Sequence, residues 1–406
     1  MPRRRRFLGA LGAGAATALG GCLATAPRAT HAFDPLAETD LQEHASAQLQ
    51  GGLRNRGYVE TSIPRAVTLD WSLPVNRGDH TAAKASPVPT PDGDVIIAAD
   101  TGTVRRVAPD GTVRWRATAG VARRGVHGTP AIANGTVYVG AYDGVLYAFD
   151  LASGERRWHR PLGDAIGSSP VYYNGVVYVA VEYYEPSGSV AAVDAGTGDL
   201  RWMDSRPTHH PHSTIAIDRT AGRLLVGSND GYCYAWTFPG LERAWAFETG
   251  GAIKGPVAVH DGLAVFGSWD GHVYGVDLAD GSERWAVETG ADVMSGPAVD
   301  PDGTAYVGSH DGHVYALDAT TGAERWRYDT GGWVIGSLRA TPDHVLAGSY
   351  DRALHALDAA DGDLTWRFAG DGRATSAPLV TDDACYYAER RPREGEPGSL
   401  YRLVAD

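Results

Sequence analysis

The chain has 406 residues, of which 36 are lysine or arginine and 49 are aspartate or glutamate, so its formal net charge is −13 at neutral pH. This acidic balance argues against a nucleic acid as a partner, because affinity for a phosphate backbone comes from clustered basic residues. The 43% of hydrophobic residues and the 52 glycines are typical of a large folded domain that is rich in tight turns.

The first 22 residues have the features of an export signal. Arginines at 3–6 precede a run of small apolar residues at 7–19, which is too short to span a membrane. The arginines resemble a twin-arginine signal, and the sequence LGGC at 19–22 resembles the site where a lipoprotein is cut and its cysteine acylated. We therefore predict an extracytoplasmic protein that a lipid on Cys22 anchors to the outer face of the cytoplasmic membrane. An ordinary cleaved leader without lipid is the alternative.

Residues 23–61 show little hydrophobic periodicity and predict a linker. Its first part is expected to be a stalk, and the segment 50–58 is expected to pack on the domain that follows. That domain is predicted to span 62–406.

The domain consists of an internal repeat whose best-formed copy is AYVGSHDGHVYALDATTGAERW, starting at Ala305. Two alternating runs rich in aromatic and β-branched residues, 306–310 and 313–318, flank Asp311-Gly312, a strong signal for a two-residue hairpin turn. A third predicted strand at 324–328 contains a tryptophan that serves as the landmark of the repeat. Because three or four short strands cannot bury an apolar face alone, the units must stack on one another.

Landmark tryptophans recur every 40 to 44 residues, at Trp71, Trp115, Trp158, Trp202, Trp245, Trp285, Trp326 and Trp366. This spacing is typical of four-stranded blades and predicts an all-β, eight-bladed β-propeller. The first tryptophan lies in 67–74, before any complete unit, whereas 375–406 provides inner strands but no tryptophan. We therefore predict that 67–74 completes the eighth blade and closes the ring, which removes free sheet edges.

The repeat unit, with its Asp-Gly turn, its Thr-Gly turn and its landmark tryptophan, resembles the tryptophan-docking repeat of the pyrroloquinoline-quinone-like (PQQ-like) propeller family across 67–406. The resemblance implies the fold but does not select an activity. The family includes quinoprotein dehydrogenases, which hold PQQ and a calcium or lanthanide ion over the central funnel, and non-catalytic lipoproteins such as the propeller scaffold of the bacterial outer-membrane assembly machine.

Two departures from the dehydrogenases are visible. Many of those enzymes pair two adjacent cysteines, but the cysteines here are isolated, at Cys22, Cys233 and Cys385. The chain is also shorter than typical dehydrogenases of the family. We therefore predict a monomeric, non-catalytic scaffold that binds a protein or ligand. The alternative is a small quinoprotein oxidoreductase that uses PQQ with Ca²⁺ in the funnel.

Candidate binding residues lie at positions where a unit departs from the repeat pattern. Insertions at 182–188 and 389–398 are expected on the binding face. The loops that enter each inner strand converge at the mouth of a propeller and mostly carry small residues. The larger side chains there predict a ligand site, and they are Lys84, His127, His212, Lys254 and Trp333, with His80, Met294 and Arg373 as further exceptions.

Lys254 would bind a carboxylate or phosphate, or alternatively pair with a neighbouring acid. The imidazoles of His209, His210 and His212 could bind zinc or copper if they converged, which Pro211 makes uncertain; a solvated loop is the alternative.

Other repeated or isolated residues have structural interpretations. The regular tryptophans predict packing between blades rather than stacking of a cofactor. Six aspartates at equivalent turns are expected to serve the turns rather than to attract cations, and they are Asp100, Asp143, Asp230, Asp270, Asp311 and Asp351. Cys233 and Cys385 fall in opposite blades, which predicts two unpaired, buried thiols. Asn134-Gly135-Thr136 forms a glycosylation sequon on a predicted hairpin turn.

Overall fold

The computed structural model of the protein describes residues 48–77, 84–120, 125–390 and 396–406. The predicted leader, Cys22, most of the predicted stalk and His80 lie outside these ranges. Within the described ranges, no helix is long and apolar enough to cross a membrane.

The described strands form eight sheets, which confirms the eight-bladed β-propeller. The first strand, β1, is Val67–Asn76. Blades 1 to 4 contain β2 Val88–Pro89, β3 Val95–Ala98, β4 Thr103–Val107, β5 Val113–Thr118, β6 Ala131–Ala133, β7 Thr136–Gly140, β8 Val145–Asp150, β9 Arg156–Pro161, β10 Val171–Tyr173, β11 Val176–Glu182, β12 Gly188–Asp194, β13 Leu200–Asp204, β14 Ala216–Asp218, β15 Arg223–Gly227, β16 Tyr232–Thr237 and β17 Arg243–Glu248.

Blades 5 to 7 repeat the same four-stranded antiparallel order, whereas blade 8 has five strands. Their strands are β18 Ala258–His260, β19 Leu263–Gly267, β20 His272–Asp277, β21 Glu283–Glu288, β22 Ala298–Val299, β23 Thr304–Gly308, β24 His313–Asp318, β25 Glu324–Asp329, β26 Arg339–Ala340, β27 His344–Gly348, β28 Ala353–Asp358, β29 Leu364–Ala369, β30 Arg373–Ala374, β31 Leu379–Val380, β32 Cys385–Arg390 and β33 Gly398–Ala405. In blade 8, β30 and β31 both pair with β32, and β1 adds to β33. A short 3-10 turn at Leu49–Gly51 completes the named elements.

The ring closes as predicted, because β1 pairs antiparallel with β33 from Val67 opposite Ala405 to Asn76 opposite Gly398. The outer strand of blade 8 therefore comes from the start of the domain, whereas its other strands come from the end. A break in this pairing would open the ring at the join between the two ends of the domain.

The landmark tryptophans join neighbouring blades, as predicted. Trp285 Nε1 donates a hydrogen bond of 3.0 Å to the carbonyl of Ala319 in the next blade. Six others make the same bond, and the donors are Trp71, Trp115, Trp158, Trp245, Trp326 and Trp366. Trp202 instead packs edge-on against Trp236, at 6.2 Å between ring centroids. The eight tryptophans therefore act as structural links.

The hairpin aspartates serve the turns, in agreement with their structural interpretation. In the turn of blade 6, Asp311 accepts hydrogen bonds from the backbone N–H groups of His313 and Gly290 and from the Tyr315 hydroxyl. Equivalent tyrosine–aspartate pairs occur in blades 2, 4 and 5. These carboxylates are engaged within their own and neighbouring turns.

Several predicted boundaries differ from the structure. The strand predicted at 306–310 runs from Thr304 to Gly308, because Ser309 opens the four-residue turn, in which its carbonyl accepts from Gly312 N–H. Glu182 is the last residue of β11 and pairs with Gly188, the first residue of β12, so the first insertion is limited to 183–187.

Glu389 belongs to β32 and is fully buried, where the sequence predicted an insertion. Its carboxylate accepts bonds from the Tyr401 hydroxyl and Gly372 N–H, and burial raises its pKa to about 7. Cys233 and Cys385 are free and buried, as predicted.

Residues 48–59, here called the crossing segment, run across the inner strands of four blades. Their carbonyls accept hydrogen bonds of 2.6 to 2.8 Å from one backbone amide each in blades 4, 5, 6 and 7, and these donors are Ile217, Val259, Val299 and Ala340. The buried Asn55 side chain donates to the carbonyls of Ile215 and Val257 at 3.1 and 3.2 Å. All of these contacts lie near the ends of inner strands, so the crossing segment covers one end of the propeller axis.

Candidate functional site: the funnel mouth and the axial channel

In each repeat unit, one residue just before the inner strand faces the propeller axis. In chain order the eight residues at this position are Lys84, His127, Gly167, His212, Lys254, Met294, Ile335 and Thr375. All eight line a narrow cavity of about 50 Å³, here called the axial channel. Leu49 of the crossing segment also lines it, and we infer that this residue forms its floor.

The axial channel widens into a second cavity of about 430 Å³, here called the mouth cavity. Four residues line both cavities and therefore mark the passage between them: His212, Lys254, Met294 and Ile335. The mouth cavity is otherwise lined mainly by residues that precede hairpin turns, namely Tyr142, Asn229, Trp269, His310 and Tyr350, and by the blade 3 insertion.

The structure brings the five predicted mouth residues into one connected space. Lys84 and His127 line the axial channel alone, whereas His212 and Lys254 line both cavities. Trp333 lines the mouth cavity and is 51% exposed.

Glu182 organises one wall of the mouth. Its Oε1 lies 2.8 Å from His212 Nδ1, and the Tyr142 hydroxyl lies 3.5 Å from the same nitrogen. The Tyr142 ring in turn packs on His127, with 4.2 Å between the centroids. Burial raises the pKa of Glu182, but the charge and hydrogen bond of His212 outweigh it, so the pKa lies below its ordinary value. This wall is therefore a carboxylate–imidazole pair with aromatic support.

Two of the three histidines in the predicted imidazole cluster lie beside one carboxylate, that of Glu182. The rings of His209 and His210 meet edge-on at 4.5 Å, and His210 Nε2 lies 2.6 Å from the carbonyl oxygen of Tyr183. His212 Nδ1 lies 2.8 Å from Glu182 Oε1, and His210 Nδ1 lies 3.8 Å from Glu182 Oε2. No group of three histidine, cysteine or acidic residues in the described ranges is placed to hold a metal ion. Zinc or copper binding by these histidines stays a prediction.

The opposite wall is a stack of rings around Trp333. His310 stacks on this indole at 4.9 Å with an interplanar angle of 11°, and Tyr350 stacks on it at 5.5 Å with an angle of 27°. The guanidinium of Arg373 lies 4.7 Å from the Tyr350 ring, and Arg390 Nη1 donates to the Tyr350 hydroxyl. The wall combines aromatic rings with arginine, a combination enriched where proteins bind partners.

Lys254 separates the two walls. Its Nζ lies 3.6 Å from the centroid of the Trp269 ring. Burial lowers the pKa of Lys254, while Glu182 and Asp292 act in the opposite direction. Burial also lowers the pKa of Lys84 to about 7, and the charge of Lys254 adds to this effect. The only two lysines of the chain thus share one electrostatic environment.

Most residues of the mouth could not be predicted from the sequence, because they belong to a turn motif whose other residues have a purely structural role. In blades 2, 4, 5 and 6 the turn contains Asp-Gly, but the residue before the aspartate varies, and it lines the mouth cavity. The variation among the copies, from Tyr142 to Asn229 to Trp269, is the signal that would have found them.

Comparisons with known proteins agree with this architecture. The model of the family described as outer membrane protein assembly factor BamB matches residues 68–287 and 269–391. The chain belongs to this family. The BamB of Moranella endobia (strain PCIT) is 28% identical over 193 residues, which are 45% of this chain and 46% of that protein.

Quinohemoprotein relatives are found as well. Quinohemoprotein alcohol dehydrogenase ADH-IIG of Pseudomonas putida is 29% identical over 183 residues, which are 40% of this chain and 25% of that protein. The chain thus spans less than half the length of these curated relatives. The crystal structure of quinohemoprotein alcohol dehydrogenase from Comamonas testosteroni aligns with a TM-score of 0.73 at 16% identity, covering 88% of this chain and 80% of that one. The PQQ-like resemblance is therefore confirmed at the level of fold and family.

This member of the BamB family has a poor donor set for a calcium-bound quinone at its mouth. Calcium takes about six to eight oxygen ligands. The carboxylates that line the mouth cavity are those of Asp164 and Glu182. Glu182 is bound to His212, and Asp164 accepts a hydrogen bond from Tyr184 N–H. The positive charge of Lys254 beside Glu182 further opposes a divalent cation there.

Proposed function

We propose that this protein is an exported, lipid-anchored propeller that acts as a non-catalytic binding module and holds its partner at the funnel mouth. The observation that carries the proposal is the exposure of two large aromatic side chains on the rim of one cavity. Tyr184 is 84% exposed and Trp333 is 51% exposed, and both line the mouth cavity. Exposed aromatic side chains beside a pocket are typical of binding sites.

The shape of the propeller supports the same face. The blade 3 insertion, 183–187, rises at the mouth, whereas the crossing segment covers the opposite end of the axis. The crossing segment includes Gln48, whose side chain accepts a hydrogen bond from the backbone N–H of Tyr172 in the inner strand of blade 3. A lipid anchor at Cys22 would thus reach the propeller through the covered end, and the mouth would point away from the membrane.

Relatives support a binding role. The family is described as an outer membrane protein assembly factor, a description that implies protein partners for its members. The mouth of this chain combines Trp333, Tyr350 and Arg373, the residue types that contribute most to binding energy at protein interfaces. We therefore extend a protein-binding role to this chain.

A quinoprotein oxidoreductase is the second candidate, because ADH-IIG of Pseudomonas putida is among the relatives. The oxygen donors of the mouth disfavour it, for the reasons given above. Adding PQQ with Ca²⁺ and finding both a visible absorbance band and dye reduction would establish this candidate in place of the binding module.

Tyr184→Ala and Trp333→Ala should each remove the partner that purifies with the detergent-solubilised protein from cells that produce it naturally. Truncation of a central aromatic contact typically costs about 2 kcal/mol or more, which is a loss of roughly 30-fold in affinity. Leu364→Ala is the matched control, because Leu364 is 45% exposed but lies in the outer strand β29. A partner retained by both mouth variants, or lost equally from the control, would contradict the proposal.

A further inference from the structure

We propose that the axial channel is a binding site for one small anionic group, either an inorganic anion or the carboxylate of an organic ligand, held between Lys84 and Lys254. This site lies below the mouth cavity and goes beyond the binding role proposed for the mouth. Its ligand would enter through the passage at His212 and Lys254.

The two lysines occupy the same position of the repeat in blades 1 and 5. In a ring of eight blades these units are four apart, so the two side chains enter the channel from opposite sides. Neither ammonium group has a hydrogen-bond acceptor or an ion-pair partner among the residues that the structure describes, and the Nζ of Lys254 lies over the Trp269 ring. Glu182 and Asp292 place negative charge near Lys254 but form no ion pair with it, so the two ammonium groups still favour an anion between them.

A layer of hydroxyl groups lies two residues further along the inner strands. Thr129 Oγ1 accepts from Ser86 N–H at 3.0 Å, Ser169 Oγ accepts from Thr129 N–H at 2.9 Å, and Thr214 Oγ1 accepts from Ser169 N–H at 3.2 Å. Each hydroxyl keeps its own hydrogen, and no acceptor for these three hydrogens occurs in the described ranges. Buried hydroxyl donors of this kind can bind an anion directly.

The lining of the channel has one sign of charge. It includes two lysines and two histidines, His127 and His212, and no aspartate or glutamate from the described ranges, although the chain has 49 acidic residues. The Glu182 carboxylate lies against the channel wall at Gly167, where an added Cβ would approach Oε1 to 2.5 Å, and it is bound to His212. A water molecule occupies about 10–15 Å³ on the same measure, so a channel of about 50 Å³ has room for a group the size of a carboxylate.

The titration of Lys84 supports this arrangement. Burial and the charge of Lys254 lower the pKa of Lys84 to about 7, so a bound anion should raise it by favouring the charged form. Anion binding should accordingly weaken as the pH rises above 7. The other charged or titratable groups around the two lysines are His127, His212, His310, Glu182 and Asp292.

The test uses the fact that the full chain has two lysines. Lysine labelled with ¹³C at Cε gives one NMR signal for Lys84 and one for Lys254, assigned with the Lys84→Met and Lys254→Met variants. Sodium acetate, sodium phosphate and sodium benzoate are titrated separately at low ionic strength. The sodium salt of a bulky sulfonate, which is too large for the channel, controls for ionic strength.

We expect both signals to shift together and to saturate as the anion is added. The midpoint of the Lys84 pH titration should rise by about one pH unit or more, because this shift corresponds to a tenfold or greater preference of the anion for charged Lys84. Saturation by phosphate and acetate alike would identify a free-anion site, and tighter binding of benzoate than of acetate would identify the carboxylate of an aromatic ligand. Thr214→Val should weaken binding several-fold without changing the fold, and Tyr184→Ala should leave it unchanged.

Shifts no larger than those caused by the sulfonate would overturn the proposal, as would saturable shifts of Lys84 that persist at full size in Lys254→Met. Loss of the mouth partner in Tyr184→Ala with normal anion binding would separate this site from the binding role of the mouth. If a lysine variant fails to fold, the comparison of wild type with Thr214→Val decides the question.

Discussion

Trp285→Ala should lower the free energy of unfolding by about 3–5 kcal/mol, the usual cost of removing a buried tryptophan. Trp285 is 7% exposed and packs between blades 5 and 6. It also donates to the Ala319 carbonyl and lies against Gly322, where an added Cβ would approach the indole to 2.9 Å. Gly322 has φ of 75°, so the turn requires glycine for its conformation and for the close approach of the ring.

Denaturant unfolding of matched variants measures this effect. Trp285→Phe keeps most of the apolar contact but loses the hydrogen bond, so it should cost about 1–2 kcal/mol. Trp333→Ala removes the same side chain from an exposed site outside the repeat register and should cost less than about 1 kcal/mol. Equal costs for Trp285→Ala and Trp333→Ala would show that docking between blades does not stabilise the ring.

Asn55→Ala should release the crossing segment, at a cost of roughly 2–4 kcal/mol. The substitution removes two hydrogen-bond donors and leaves the Ile215 and Val257 carbonyls without them in a buried site. It also places alanine at φ of 50°, a conformation that asparagine tolerates better than alanine.

Hydrogen exchange reports the release directly. The amides of Ile217, Val259, Val299 and Ala340 donate to the crossing segment and should lose protection together in Asn55→Ala. Asn55→Gly restores the backbone conformation but not the hydrogen bonds, so it separates the two contributions. Unchanged protection at all four amides would mean that the crossing segment docks independently of Asn55.

The fold could be predicted from the sequence because each repeat unit contains local patterns that are typical of strands and turns. The landmark tryptophans, the Asp-Gly turns and the unmatched strand at 67–74 each have one structural explanation, and together they require a closed ring. Glu389 was misplaced because its local sequence is charged, and only its position in β32 shows that its carboxylate is buried.

The site could be predicted only in part. Lys84, His127, His212 and Lys254 were recognisable because basic and imidazole side chains are unusual where a loop enters an inner strand. The opposition of Lys84 and Lys254 across the channel depends on ring closure, which places units far apart in the chain face to face. The path of the crossing segment was still harder to predict from the sequence, because its contacts are made largely by backbone carbonyls, which every residue has.

The most direct measurement of the central claim is photo-crosslinking in living cells. A photo-reactive phenylalanine analogue is placed at position 184, on the mouth, and at positions 200 and 364, which are exposed in outer strands. We expect one discrete crosslinked protein from position 184 and none from the other two. Crosslinks of the same protein from positions 200 and 364, without one from position 184, would contradict the assignment of the mouth as the binding face.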